Sequence, residues 1–272
     1  MKRILPLVVI PALQVACFVG CGLAFPGHPW LALGLLALAA IALDFDVHVF
    51  LHECVHATAP ERTPWAVSLG LTLLGGLPFD GYRLHHYNHH RHDNGPEDFS
   101  STWKWEADGC RRAKGLTAYV LGWPAELARA RAAMREDAAA GRLSPGLQRR
   151  LRVKKHLVAA CLLALALVSW HWAVAYATMV YFGWGLVSLH NYGQHLPAEG
   201  QGFVTSFAPP WYNFLLFNNG LHGEHHDQPG KAWFELRADP KHAPAGAPPL
   251  VAPFLPANRR RVAVDARSGT RP

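Results

Sequence analysis

The chain has 272 residues, half of them apolar and only 17% charged, with a formal net charge of +7. A charged share well under the roughly 25% of ordinary soluble domains, with the apolar residues gathered in long runs, excludes a typical soluble globule and points to a membrane protein. The basic excess carries no aromatic-interleaved motif, which argues against nucleic acid. Instead Lys2-Arg3, Arg111-Arg112, Arg149 to Lys155 and Arg259 to Arg261 lie between and after apolar runs, as in cytoplasmic loops facing anionic lipid.

Leu5 to Ala24 follows Lys2-Arg3 and has the length of a bilayer span. A signal peptide would start the same way. A second run, Trp30 to Phe50, follows after Pro26-Gly27-His28-Pro29, so a retained helical hairpin is expected. Trp65 to Phe79 is too short to span and suits a re-entrant or interfacial helix. Leu127 to Arg142, rich in Ala, Arg and Glu, reads as a surface helix, and Ser144-Pro145 marks a stop and a new start. Leu157 to Leu189 would be about 50 Å long as one helix, so two helices with a turn near Ser169-Trp170-His171 are expected. Trp103, Trp105, Phe182 and Trp184 are read as interfacial anchors or packing residues before any pocket role. Phe203 to Asn219 reads as interfacial, and the Pro/Ala/Arg-rich stretch from Pro240 as a mobile tail.

The expected fold class is therefore all-α and integral-membrane. It has four transmembrane helices in two hairpins and a cytoplasmic, histidine-rich cap. The domain spans residues 1–239 and the tail residues 240–272.

Histidine is the anomaly: all but four of the 17 (His28, His156, His171 and His242) fall in four windows. The first is His48, His52 and His56, whose spacing of four places them on one helical face. It also contains the H-E-x-x-H string of zinc proteases, His52-Glu53-x-x-His56, but one zinc leaves three further windows unexplained. The second is His85, His86, His89, His90 and His92, in which His86-x-x-His89-His90 can converge on one side of a helix. The third holds His190 and His195, with Asn191 on the same face as His195. The fourth, His222-x-x-His225-His226, repeats the spacing of the second. Recurrence of one unusual spacing in distant segments is the strongest signal in the chain. Neutral imidazole suits Fe, Zn, Cu and Ni, and so many imidazoles exceed the coordination of one ion. His48, His85, His92 and His190 are left without assigned roles. The five cysteines form no C-x-x-C pair, so neither a disulfide framework nor an electron-transfer centre is expected within the chain.

These windows resemble the three histidine boxes of the membrane fatty-acid desaturase and hydroxylase superfamily. The matching strings are His52-Glu-Cys-Val-His56, His86-Tyr-Asn-His89-His90 and His222-Gly-Glu-His225-His226. His195 resembles the ninth ligand of that family, and Asn191 the asparagine that reaches one metal through water. The resemblance implies two Fe ions held by His52, His56, His86, His89, His90, His195, His222, His225 and His226, with O2 as co-substrate. It implies oxidation of an unactivated C–H bond on the acyl chain of a lipid, by desaturation or hydroxylation. The electrons would come from a ferredoxin, rubredoxin or cytochrome b5 with its reductase. The superfamily also includes alkane hydroxylases and carotenoid or terpenoid hydroxylases and ketolases, and the boxes do not separate these outcomes. A metal-binding or transport protein without catalysis is the remaining class.

Overall fold

The computed structural model describes residues 5–57, 63–107, 109–196, 204–256 and 258. The chain divides into two compact units, residues 1–84 with 131–187 and residues 85–130 with 188–272.

In the first unit, α1 (Leu5–Ala24) and α2 (Pro29–Phe45) form the expected hairpin. Pro29 opens α2, where its missing N–H costs nothing. Cys17, Ala39, Leu43 and Val47 fill the core of the unit with Tyr176 and Met179. A π-helical turn, Asp46–Leu51, joins α2 to α3 (His52–Ala57), and the three run on as one helix, Pro29–Ala57. The unit also holds α4 (Trp65–Gly75), the first turn of α5 (Phe79–His92), the second half of α7 (Trp123–Ala139), α8 (Pro145–Val168) and most of α9 (Trp170–Gln194). The Ser144 hydroxyl caps α8 by accepting from the Leu147 N–H at 3.2 Å, as the Ser-Pro pair indicated. Ser169, in an extended conformation, breaks α8 from α9 where the turn was expected.

α4 ends inside the apolar bundle, where its last carbonyls have no water to meet. Three side chains replace it. Tyr176 Oη donates to the Leu73 carbonyl at 2.6 Å, Gln14 Nε2 to Leu74 at 2.8 Å and Trp184 Nε1 to Gly75 at 2.8 Å. Gly76, at φ +68°, then turns the chain in a left-handed conformation that glycine adopts without strain.

A buried ionic network ties the polar ends of these helices. The Asp80 carboxylate accepts from Lys154 and, at 3.3 Å, from Arg150 Nε, and Lys154 also donates to Ser68. Arg83 donates to the Cys54 carbonyl and to Thr63 Oγ1, both at 3.0 Å.

Among the described residues, two helices are long and apolar enough to cross a membrane, Pro29–Ala57 and Trp170–Gln194. Within α1 the apolar stretch Val8–Ala24 is shorter. α8 is apolar only beyond Leu157, because Arg149 to Lys155 occupy its first half. The Lys2-Arg3 and Arg259 to Arg261 clusters lie outside the described residues.

The second unit is built from short elements. An antiparallel hairpin pairs β1 (Trp103–Trp105) with β2 (Arg111–Ala113), and α6 (Leu116–Leu121) follows. A parallel pair joins β3 (Thr205–Ser206) to β4 (Ala243–Pro244), with α10 (Pro210–Leu215) and α11 (His222–Asp227) between them in sequence. Its core gathers Tyr119, Tyr192, Leu196, Ala245, Ala247 and Ala252. The stretch expected to be a mobile tail is thus packed as far as it is described. Small alanines fit beside Tyr192, and the Pro249 carbonyl lies so close to Gly193 that a Cβ there would sit 1.9 Å from it. Residues 259–272 lie outside the described residues. α5, α7 and α9 each begin in one unit and end in the other.

Candidate metal centre

Two groups of imidazoles converge in the second unit. α5 presents His86 and His90 one turn apart with their Nε2 atoms 2.9 Å from each other, and His225 Nε2 of α11 lies 2.9 Å from His90 Nε2. The other group joins His89 of α5, His195 just beyond α9, and His222 and His226 of α11. His195 Nε2 and His222 Nε2 are 2.9 Å apart. In both groups the ligand atoms lie within 4.8 Å of one another. Two nitrogens bound to one ion at a right angle, each at ~2.1 Å, stand about 3 Å apart, so these spacings suit ions shared between the rings.

Several ring nitrogens have their outer partners in place. His89 Nδ1 meets Asp98 Oδ2 at 2.8 Å, which leaves its Nε2 buried with no hydrogen-bond partner. His226 Nδ1 lies 3.2 Å from Asp93 Oδ1, and its Nε2 is likewise without a hydrogen bond. Two orphaned buried nitrogens in one cluster are costly as they stand, and a bound cation would satisfy both. Burial, reinforced by the neighbouring imidazoles, holds His222 and His226 well below the ordinary histidine pKa, so they stay neutral as ligands require. His89 is the exception. Burial opposes its charge, but the Asp98 carboxylate, through its charge and its hydrogen bond, together with Asp93 raises its pKa on balance. Burial would equally raise Asp98, yet His89 and the Ser100 N–H hold it below the usual carboxylate range.

The backbone around the cluster is tightly specified. Thr102 Oγ1 donates to the His195 carbonyl at 2.7 Å, and Asn94 holds Thr102 through its N–H at 2.6 Å and its hydroxyl at 3.0 Å. Asn94 adopts φ +64°, which asparagine tolerates better than most residues. In α11, Glu224 accepts from Ser206 Oγ at 2.6 Å and from the Asp239 N–H at 2.8 Å, fixing the helix to β3. Gly223 fits there because a Cβ would stand 2.4 Å from the His242 ring. The Trp233 indole lies against His225, with ring centroids 4.4 Å apart.

The remaining sequence candidates are placed as follows. His52 and His56 lie together at the end of the long helix in the first unit, with ring centroids 4.8 Å apart. His48 lies within the π-helical turn, where its Nδ1 meets Asp44 Oδ1 at 3.1 Å. Asn191 Nδ2 is engaged by Tyr119 Oη at 2.6 Å and the Ser100 carbonyl at 3.3 Å. His190 is buried, with its Nε2 3.1 Å from Asn219 Oδ1, just ahead of the third box. His85 packs on Phe99, and burial lowers its pKa to about 4, while His92 faces Glu97 at 3.3 Å. His242, assigned no role by sequence, contacts Asp227 at 2.8 Å beside the third box.

Asp98, Thr102 and Trp233 were not singled out from sequence. Asp98 follows His89 across an irregular turn, so no helical spacing points to it, although the Asp93-Asn94-Gly95 turn signal directly follows the second box.

The geometry agrees with comparison to known proteins. A fatty acid desaturase family model matches residues 24–255, a stretch that contains all four histidine windows. No curated protein matches the chain. The match covers most of the chain and shows that this protein belongs to the fatty acid desaturase family.

Proposed function

We propose that the protein is an O2-dependent membrane oxidoreductase that desaturates, or alternatively hydroxylates, the acyl chain of a lipid. The observation that carries this reading is the four-imidazole group of His89, His195, His222 and His226, with unsatisfied Nε2 atoms on His89 and His226, beside a second group of His86, His90 and His225. Two iron ions fit this donor set, because neutral imidazoles are good iron ligands. His52 and His56 complete the set of nine by the family's box pattern. Asn191 contributes through a water molecule by the same pattern.

The ions would supply the oxidising power drawn from O2, and the protein supplies orientation and charge. Asp98 fixes which nitrogen of His89 faces the cluster and raises its donor strength. His222 and His226, kept neutral by burial, present lone pairs rather than protons. The apolar helices hold the chain in the bilayer, where acyl substrates also partition. A multi-pass arrangement with four spans, and with the boxes on the cytoplasmic side, accords with the basic clusters of the loops. A ferredoxin, rubredoxin or cytochrome b5 with its reductase delivers electrons, since the chain holds no electron-transfer motif of its own. Carotenoid, terpenoid or alkane oxidation uses the same kind of centre and is the second reading.

The test is mass spectrometry of lipids from cells expressing the wild type or His89→Ala, with a ferredoxin system supplied. A species lacking two hydrogens, present only with the wild type, establishes desaturation, and one gaining an oxygen establishes hydroxylation. An unchanged lipid profile together with a shifted carotenoid profile selects the second reading.

A further inference from the structure

Two of the clustered imidazoles are oriented by carboxylates, His89 by Asp98 at 2.8 Å and His226 by Asp93 at 3.2 Å. His222 has no such partner. Its Nε2 faces His195 Nε2 at 2.9 Å, and its Nδ1 is buried without a hydrogen bond among the described residues. The outer nitrogen of a ligating histidine ordinarily sets the plane of the ring through the bond it makes. The helix backbone does not replace that bond. Ser206 Oγ accepts from the Gly223 N–H at 3.0 Å and anchors α11, but the last torsion of a histidine side chain is broad. Something else has to hold the plane of His222.

Trp233 is placed to do so. Its indole is 1% exposed and packs against two imidazoles of the third box. The ring centroids stand 6.3 Å from His222, with the planes 24° apart, and 4.4 Å from His225, with the planes 37° apart. The two imidazoles are 6.1 Å from each other at 30°. Flat rings attract one another at such separations. His222 belongs to the group of His89, His195 and His226, and His225 to the group of His86 and His90. One indole therefore packs on a ligand from each group.

The indole is itself fixed. Beyond α11 the Lys231 N–H donates to the Gln228 carbonyl at 2.9 Å, and the 3-10 turn Trp233–Glu235 closes with the Leu236 N–H on the Trp233 carbonyl at 3.1 Å. Leu221, the residue ahead of the third box, is buried with Trp233 and Leu236 in one cluster. The box and the wall beside it are thus set by one piece of packing.

We propose that Trp233 is a positioning residue of the metal centre, whose flat face fixes the imidazole planes of His222 and His225 and so aims one nitrogen at each of two ions. A side chain of similar bulk without a flat face leaves both rings free to turn. This rests on the two-ion reading given above, and it makes both ions depend on one residue that binds neither.

The test uses the full chain in detergent, freed of metal and titrated with cobalt(II), which stands next to iron(II) in the affinity order and reports its ligand geometry by visible absorption. The wild type is expected to bind two cobalt ions per chain. Trp233→Met keeps apolar bulk without the flat face. It is expected to weaken both binding steps by about 10–100-fold, the range for loss of an orienting partner, and to change the absorption band. Trp233→Phe restores a flat ring and is expected to recover the wild-type band and most of the affinity. Leu236→Ala thins the same cluster without removing a ring, and is expected to lower the Tm and leave the band unchanged. Trp233→Leu replaces the Met variant if that variant does not fold. Wild-type affinity and absorption in Trp233→Met would overturn the proposal. An equal change in Leu236→Ala would also overturn it, by making Trp233 a packing residue only. Fewer than two cobalt ions on the wild type would instead remove the two-ion reading.

Discussion

Asp98 Oδ2 lies 2.8 Å from His89 Nδ1, so a carboxylate stands behind one imidazole of the four-histidine group. Such a partner orients the ring and raises its basicity, and its removal typically costs 10–100-fold in metal affinity. Asp98→Asn keeps the shape but weakens the pull. Iron titration of the metal-free variant is expected to show affinity reduced by about that factor, with helix content unchanged by circular dichroism. Unaltered affinity would show that Asp98 does not act through His89.

The pKa directions give a pH dependence for the metal-free protein. His222 and His226 are held below their unfolded value, by burial first. Between the ordinary histidine value, about 6.5, and their folded values, the unfolded state binds more protons. Stability is therefore present above that pH and lost as pH falls through the window, by up to about 3 kcal/mol per pH unit for two groups. Thermal unfolding of the chelated protein from pH 7.5 to 5 is expected to show this decline. Substituting both residues by Gln should make it shallower, the remainder coming from His85, whose pKa burial also lowers.

Asp80 is fully buried with Lys154 and Arg150 on one carboxylate oxygen. Asp80→Ala leaves two buried cations without their counter-charge, a change that costs about 3–5 kcal/mol. The apparent Tm in detergent should fall sharply. Lys154→Met in the same background should recover part of the loss.

Gly193→Ala brings a Cβ to 1.9 Å from the Pro249 carbonyl, a backbone atom that can move only with its segment. Overpacking of this kind costs about 1–3 kcal/mol. Limited proteolysis is expected to cut within residues 243–256 faster in the variant than in the wild type.

Much of this was legible in the sequence because it depends on local signals. The limits of α1, the break at Ser169, the cap at Ser144 and the recurrent His-x-x-His-His spacing follow from apolar run length, capping chemistry and helical period. Contacts across long separations were not legible. The π-helical turn at Asp46–Leu51, ahead of His52, is announced by no residue pattern. The segment around Ala245, Ala247 and Ala252 reads as a tail by composition, yet small side chains are what the cleft beside Tyr192 accepts. Asp98 reaches His89 only through the turn built by Asn94.

The central claim is a two-ion centre held by histidine. Its most direct test is the count of iron per chain in purified, iron-loaded protein, wild type against His89→Ala. The account predicts two irons per chain in the wild type and no more than one in the variant. A single ion per chain, or a count that His89→Ala leaves unchanged, would contradict it.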